Sequence, residues 1–183
     1  MNETLKNIAE RYSCRDFAQT PLTGVQIEAI TNAALAAPSG MNLQPWHLIV
    51  IKDKALIDEL DEEGIAILAA QEDRAAYERF MERGGKLFYN APFMMLILSN
   101  GSRWAELDCG ILCQNAILAA QSLGLASCIV GMAGIPLEGP RREEYAKRLK
   151  FPVGYKFAIG LIAGTANSGK APHELDESKV TTV

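Results

Sequence analysis

Six consecutive apolar residues, Phe93 to Leu98 (FMMLIL), constrain this chain more than any other feature. A half-buried strand alternates apolar and polar side chains, so a run with no polar break suits a strand buried on both faces. Such a strand belongs inside a sheet that other elements cover. The 183 residues are 49% hydrophobic and 22% charged, which is enough apolar material for one sizeable core. A second constraint follows the strand. Residues 104 to 123 read as a long helix whose middle is apolar nearly all round, which places it at the centre of the fold. Gly124 caps it.

The remaining elements fall around these two. Residues 2 to 11 form a short amphipathic helix with Leu5, Ile8 and Ala9 on one side. A polar stretch, RYSCRDFAQTPLT, leads to Thr23, which precedes a helix over 25–37 with Ile27, Ile30, Ala34 and Ala37 at helical spacing. Pro38 stops that helix, and Ser39 to Asn42 form a loop. Trp46 to Ile51 (WHLIVI) is a strand by its β-branched and aromatic content. Residues 53 to about 83 are helical, with a break expected at Gly64 beside Asp61, Glu62 and Glu63, and Gly84 and Gly85 end them. A short strand at Ser127 to Val130 runs into a GMAGIP loop. A charged helix over 141–150 and a last strand from Tyr155 to Ala163 follow. The tail from Gly164 is polar and extended, though it ends in Val180 and Val183. Helices and strands interleave with no linker, repeat or low-complexity segment, which points to one domain of α/β type.

Several function classes lack support. A net charge of −4 argues against a general nucleic-acid binder. No apolar run approaches the roughly 18 residues of a membrane span. The start, MNETLKNIAERYS, has no apolar core of signal-peptide length, so a cytoplasmic location is expected. None of the four cysteines (Cys14, Cys109, Cys113, Cys128) sits in a CxxC pair. Cys109 and Cys113 share one helix face and could share a metal, but their apolar surroundings, LDCGILCQNAIL, favour small buried hydrophobes. His47 and His173 are far apart, and HExxH, the P-loop and GxGxxG are all missing.

Four segments could carry chemistry. Arg11, Ser13 and Arg15 alternate in an extended stretch, so two guanidinium groups and a hydroxyl share one side and make a phosphate-sized anion site. Solvated surface charge is the plainer alternative. The segment Pro38-Ser39-Gly40-Met41-Asn42-Leu43-Gln44-Pro45-Trp46-His47 offers amides and flexible backbone to a planar heterocycle, or is simply a tight connection. Cys128 to Met132 is a strand end running into Gly131, where backbone can approach a ligand or merely turn. Lys170 and His173 lie in the tail, where fraying is the ordinary expectation.

In this order the segments resemble the nitroreductase family of FMN-dependent oxidoreductases, over nearly the whole chain. RYSCRDF is similar to the family's R-R-S-x-R-x-F start. APSGMNLQPWHLIVI is close to its A-P-S-x-x-N-x-Q-P-W-x-F-x-V segment. NAPFMMLIL is similar to its D-A-P strand, with Asn90 where aspartate is common, and LDCGILCQNAILAAQSLGLAS is similar to its central helix. GMAGI differs from the commoner tryptophan-containing loop, and His173 stands where arginine or lysine is usual, which makes its charge depend on pH.

The resemblance implies an α+β fold, a central mixed sheet flanked by helices, in a homodimer of domain-swapped type. It implies that Arg11, Ser13 and Arg15 bind the phosphate and ribityl end of FMN, with Lys170 and His173 completing the phosphate site. Pro38, Ser39, Gly40 and Asn42 would lie against the isoalloxazine ring from the partner subunit. Lys86 falls near the family's basic position, and Val130 and Gly131 would place backbone N–H groups near flavin N5. Residues 165–183 would form an arm reaching the partner. The implied activity moves electrons from NADH or NADPH to a small acceptor of nitroaromatic, quinone or flavin type, by a ping-pong scheme with no side-chain general acid. A protein that only binds or stores FMN, or a specialised member such as a reductive dehalogenase or a flavin-destroying enzyme, would share the flavin site and differ in the lid. That lid is expected between Gly64 and Phe80.

Overall fold

A computed structural model describes residues 1–82 and 84–183. Four strands form one sheet: β1 (Trp46–Ile51), β2 (Phe93–Ser99), β3 (Ala126–Ile129) and β4 (Lys156–Gly164), in the order β1-β2-β4-β3. Every residue of β2 is buried, as its unbroken apolar run requires. Its side chains alternate between two cores. Phe93, Met95 and Ile97 pack with α2 (Gly24–Leu35) and α5 (Ala105–Ser122). Met94 and Leu96 face the opposite cluster, built on α3 (Lys54–Ala69), α6 (Gly134–Glu138) and α7 (Arg142–Arg148) through Ile57, Leu60, Leu137 and Tyr145.

The expected mixed sheet is antiparallel at each of its strand pairings. The reason is topological. The crossover β2–α5–β3 leaves β2 and β3 pointing the same way, but β4 inserts between them and is antiparallel to both. Parallel pairing survives as one isolated bridge, Ser13 to Ser127, on the outer edge of β3. The register aligns Trp46 with Ser99 and Ser99 with Lys156 at one end of the sheet, and Phe93 with Ala163 and Ala126 with Gly164 at the other.

The helices follow local signals closely. Thr23 caps α2 in a reciprocal capping box with Gln26. Gly124, at φ +73°, follows α5 in the left-handed conformation, and Leu125 N–H returns to Ala120 C=O. The buried side of α5 carries Cys109, Leu112, Cys113, Ala116, Ile117 and Ala120. Its other side is incompletely covered within one chain, with Leu107 62% exposed. Helix α1 (Glu3–Glu10) buries nothing, so the apolar side predicted for it faces outward.

Two expectations change. The break in the long helix comes not at Gly64 but after Ala69, and a separate helix, α4 (Ala75–Glu82), follows. Gly64 stays helical and buried because Leu87 packs on it; an added Cβ would sit 2.5 Å from Leu87 Cδ1. The expected end of this segment at Arg83 lies outside the described residues. The GMAGIP stretch is also not an open loop: Gly131–Ala133 form a 3-10 turn that leads into α6. Among the described residues no helix is long and apolar enough to cross a membrane.

Candidate functional site

The segment after α1 runs along the free edge of β3. Cys14 N–H donates to Ser127 C=O at 2.9 Å, and Ala18 N–H donates to Thr165 C=O at 2.8 Å. A second bridge, Phe17 to Ala166, ties the same segment to the chain just beyond β4. Extended pairing alternates the side chains. Cys14 therefore enters the core while Arg11, Ser13 and Arg15 turn outward, and the alternation ends before Phe17, which is buried three positions after Cys14.

The tail is brought to this surface by specific bonds. Asn167 N–H donates to Asp16 C=O at 3.1 Å, and Asn167 Nδ2 donates to Asp16 Oδ1 at 2.8 Å. Tyr12 Oη donates to Ser168 C=O at 3.1 Å. Lys170 and His173 then join Arg11, Ser13 and Arg15 in lining one cavity of about 240 Å³. Five residues singled out in the sequence, separated by up to 162 positions, thus share one concavity. Among the described residues, Arg11, Arg15 and Lys170 form no salt bridge. Their charge is left for an outside anion, and a hydroxyl beside guanidinium and ammonium groups suits phosphate oxygens.

The turn after α2 is built differently. Met41, Asn42 and Gln44 all adopt left-handed backbone, with φ of 52°, 54° and 46°. Such strain persists only where the surroundings impose it. Ser39 Oγ accepts from Gln44 N–H at 2.9 Å, and Gln44 Nε2 donates to Asn42 Oδ1 at 3.0 Å. The buried carboxylate of Asp108, in the first turn of α5, accepts from Gly40 N–H at 3.3 Å. Asp108 went unnoticed in the sequence, since nothing local links a helix residue to a backbone amide 68 positions away. The turn itself is exposed, with Met41 87% and Leu43 59% accessible.

Not all the predicted residues meet. The turn at Pro38, Ser39, Gly40 and Asn42 precedes β1, at the Trp46 end of one sheet edge, whereas Arg11–Arg15 and Gly131 lie along β3 at the other edge. Three strand spacings separate the two edges by about 14 Å. Val130 needs a correction, because its N–H is already bonded to Gly160 C=O at 2.8 Å. Gly131 opens a 3-10 turn, so its N–H has no acceptor within that turn and can point outward. Lys86 is not brought to the anion cavity. Its ammonium lies 3.7 Å from Asp61 Oδ2 and lines a different cavity, of about 210 Å³, against α3. Asp61 is buried and accepts from Leu87 and Phe88 N–H at 2.6 and 3.2 Å. Burial pushes its carboxyl above the usual range, while Leu87 N–H and Lys86 oppose that shift.

The cysteines are all free and buried. Burial raises the thiols of Cys109 and Cys113 to about 11 and about 12, so both stay neutral and pack as small apolar groups.

Comparison with known proteins bears on the family and the fold. The nitroreductase family profile matches residues 8–162. A crystal structure of a nitroreductase with bound FMN from Desulfitobacterium hafniense is 50% identical and superposes with a TM-score of 0.96, covering 100% of this chain and 99% of that one. A second FMN-bound nitroreductase, from Bacteroides fragilis, is 27% identical, with a TM-score of 0.89 over 100% of both chains. An FMN reductase (NADPH) of Bacillus subtilis is 27% identical over 190 aligned positions, covering 94% of this chain and 70% of the relative.

Proposed function

The chain belongs to the nitroreductase family, and from that premise we propose that it is an FMN-dependent oxidoreductase that carries electrons from NADH or NADPH to a small-molecule acceptor. The observation that supports this most is the cavity in which Arg11, Ser13, Arg15, Lys170 and His173 converge with no carboxylate to neutralise them. When bound, FMN supplies the redox chemistry, accepting hydride at its ring and releasing electrons to the acceptor.

Each chain residue then has a defined task. Arg11, Arg15 and Lys170 balance the charge of the phosphate, and Ser13 gives it a hydroxyl partner. Gly131 N–H, farther along the same edge, would donate to the flavin ring. The edge-to-edge separation within one chain supports a reading in which the Pro38–Asn42 turn reaches this ring from a second copy. On this reading the functional unit is a homodimer with sites shared between subunits. Outward-facing Leu5, Ile8, Trp104 and Leu107, all exposed in the single chain, suit such an interface. The tail over residues 165–183, whose Leu175, Val180 and Val183 are also exposed, continues as an arm onto the partner. We place the protein in the cytoplasm, where NADH and NADPH are available. With FMN held there, acceptors of nitroaromatic, quinone or flavin type would alternate with the nicotinamide donor in a ping-pong scheme.

Steady-state oxidation of NADH and of NADPH by the FMN-loaded protein, run against a panel of nitroaromatics, quinones and free flavins, tests this reading. Turnover with parallel double-reciprocal lines is expected. An FMN-loaded protein that oxidises neither nucleotide would reduce it to a flavin carrier.

A further inference from the structure

The strand edge that carries the anion cavity also brings two thiols together. Ser13 and Ser127 pair in parallel, and Cys14 N–H bonds Ser127 C=O. In that register the residues that follow are Cys14 and Cys128, and the thiol of Cys128 lies near both Cys14 and the Ser13 hydroxyl. Both thiols are free and buried in the same apolar cluster. Neighbouring strands lie about 4.7–4.9 Å apart, inside the Cα separation of about 4.4–6.8 Å that a disulfide spans. The pair is not sealed from outside. Cys14 lines a cavity of about 270 Å³ with Tyr12, Ser13, Arg15, Asp16 and Ser168. Cys109 and Cys113 sit one turn apart on the inner side of α5 and line none of the cavities described above.

We propose that Cys14 and Cys128 form a modification site, a dithiol that a low-molecular-weight disulfide converts to an internal disulfide by entering the cavity at Cys14. The chemistry balances without further reagents. The Cys14 thiol loses its proton, and its sulfur attacks one sulfur of R–S–S–R, breaking that bond and releasing R–S⁻. Cys128 loses its proton and attacks the Cys14 sulfur, forming the Cys14–Cys128 bond and releasing the second R–S⁻. The two protons finish on the two released thiolates. The chain gives up two electrons, and the reagent takes them. Burial opposes ionisation of both thiols, but the nearby guanidinium of Arg15 favours each thiolate, and Arg11 also favours that of Cys128. Closure fastens the Arg11–Arg15 wall of the anion cavity covalently to β3. The dithiol is built from the chain's own residues, and its cavity shares Ser13, Arg15 and Lys170 with the anion cavity.

The protein as purified, incubated with 2-hydroxyethyl disulfide under native conditions, tests the proposal by thiol titration and tandem mass spectrometry of unreduced tryptic peptides. Fragmentation is needed because one tryptic peptide, from Trp104 to Arg141, carries Cys109, Cys113 and Cys128. The expected result is loss of two of the four thiols, with Cys14 linked to Cys128 and both α5 cysteines reduced. Cys128→Ser should stop at a mixed disulfide on Cys14, and Cys14→Ser should form no link. Four thiols that survive the reagent, a mixed disulfide on Cys14 that persists in the unsubstituted chain, or a Cys109–Cys113 link would each overturn it.

Discussion

Arg141 and Arg148 are paired with carboxylates, whereas among the described residues Arg11 and Arg15 form no salt bridge. In the first region Arg141 bonds Glu59 at 3.0 Å, Glu63 at 3.4 Å and the Tyr145 hydroxyl at 2.9 Å, and Arg148 bonds Glu59 at 2.6 Å. These contacts clamp α7 to α3, and all three guanidinium nitrogens of Arg141 donate inside the chain. In the second region Asp16 is held by Asn167 and Ser168, and the guanidinium groups line a cavity. Concentrating uncompensated positive charge opposes folding unless a ligand relieves it. The same residue type thus serves cohesion in one place and recognition in the other. What separates them is whether the chain supplies the counter-charge.

Truncation after Gly164 should have the largest effect on this contrast. It removes Lys170 and His173 together with the Asn167 and Ser168 anchors, so FMN retention and dimer stability should fall together, read by flavin absorbance after gel filtration and by light scattering. A truncated protein that stays yellow, dimeric and equally heat-stable would make the tail a passive extension. Arg15→Ala comes next. Loss of a charge-assisted hydrogen bond costs on the order of 1.5–3 kcal/mol, roughly ten- to a hundred-fold in FMN affinity. Isothermal titration of the flavin-free protein measures it, and hydride transfer in the reloaded enzyme should change less. Arg141→Met reverses the pattern, with a lower Tm and unchanged FMN affinity. Equal loss of affinity in Arg141→Met and Arg15→Ala would erase the distinction between the regions.

The smallest effect is a pH dependence. The hydrogen bond from Arg148 leads the influences that hold the Glu59 carboxyl below its ordinary value of 4.5, against burial. A depressed folded value means that the unfolded chain binds the proton more readily, so stability rises with pH across that window. The contribution is complete above the ordinary glutamate value and is lost as pH falls through the lowered one. The acid limb of a Tm–pH curve should be shallower in Arg148→Ala. An unchanged limb would show that the pair contributes nothing measurable, as many exposed pairs do not.

Much of this was legible locally. The span of β1 and the double burial of β2 follow from WHLIVI and FMMLIL, and the Thr23 cap and the Gly124 terminus are short-range signals. Arg11, Ser13 and Arg15 announced themselves by alternation. What failed depends on partners distant in sequence. Gly64 has the look of a helix breaker, and only Leu87 lying against it explains why it is not one. Pro136 suggested a loop, yet proline is tolerated in the first turn of a helix, and α6 begins at Gly134. The insertion of β4 between β2 and β3 has no local signature, nor does the bond from Gly40 to Asp108. Lys86 looked like a ligand by position, and the buried Asp61 that engages it is visible only after folding.

The central claim is that each site combines Arg11–Arg15 of one subunit with the Pro38–Asn42 turn of the other. Two variants placed in separate chains test it directly. Arg15→Ala weakens the phosphate end. Asn42→Asp keeps a residue that tolerates the left-handed backbone, but sets a negative charge where the reduced ring gains one. In a mixed dimer of the two chains, shared sites give one intact site and one doubly damaged site. The prediction is about half of the unsubstituted NADPH oxidation rate per dimer, from parents that are each nearly inactive at limiting FMN. A mixed dimer no more active than its parents would place both residues in the site of a single chain and contradict the account.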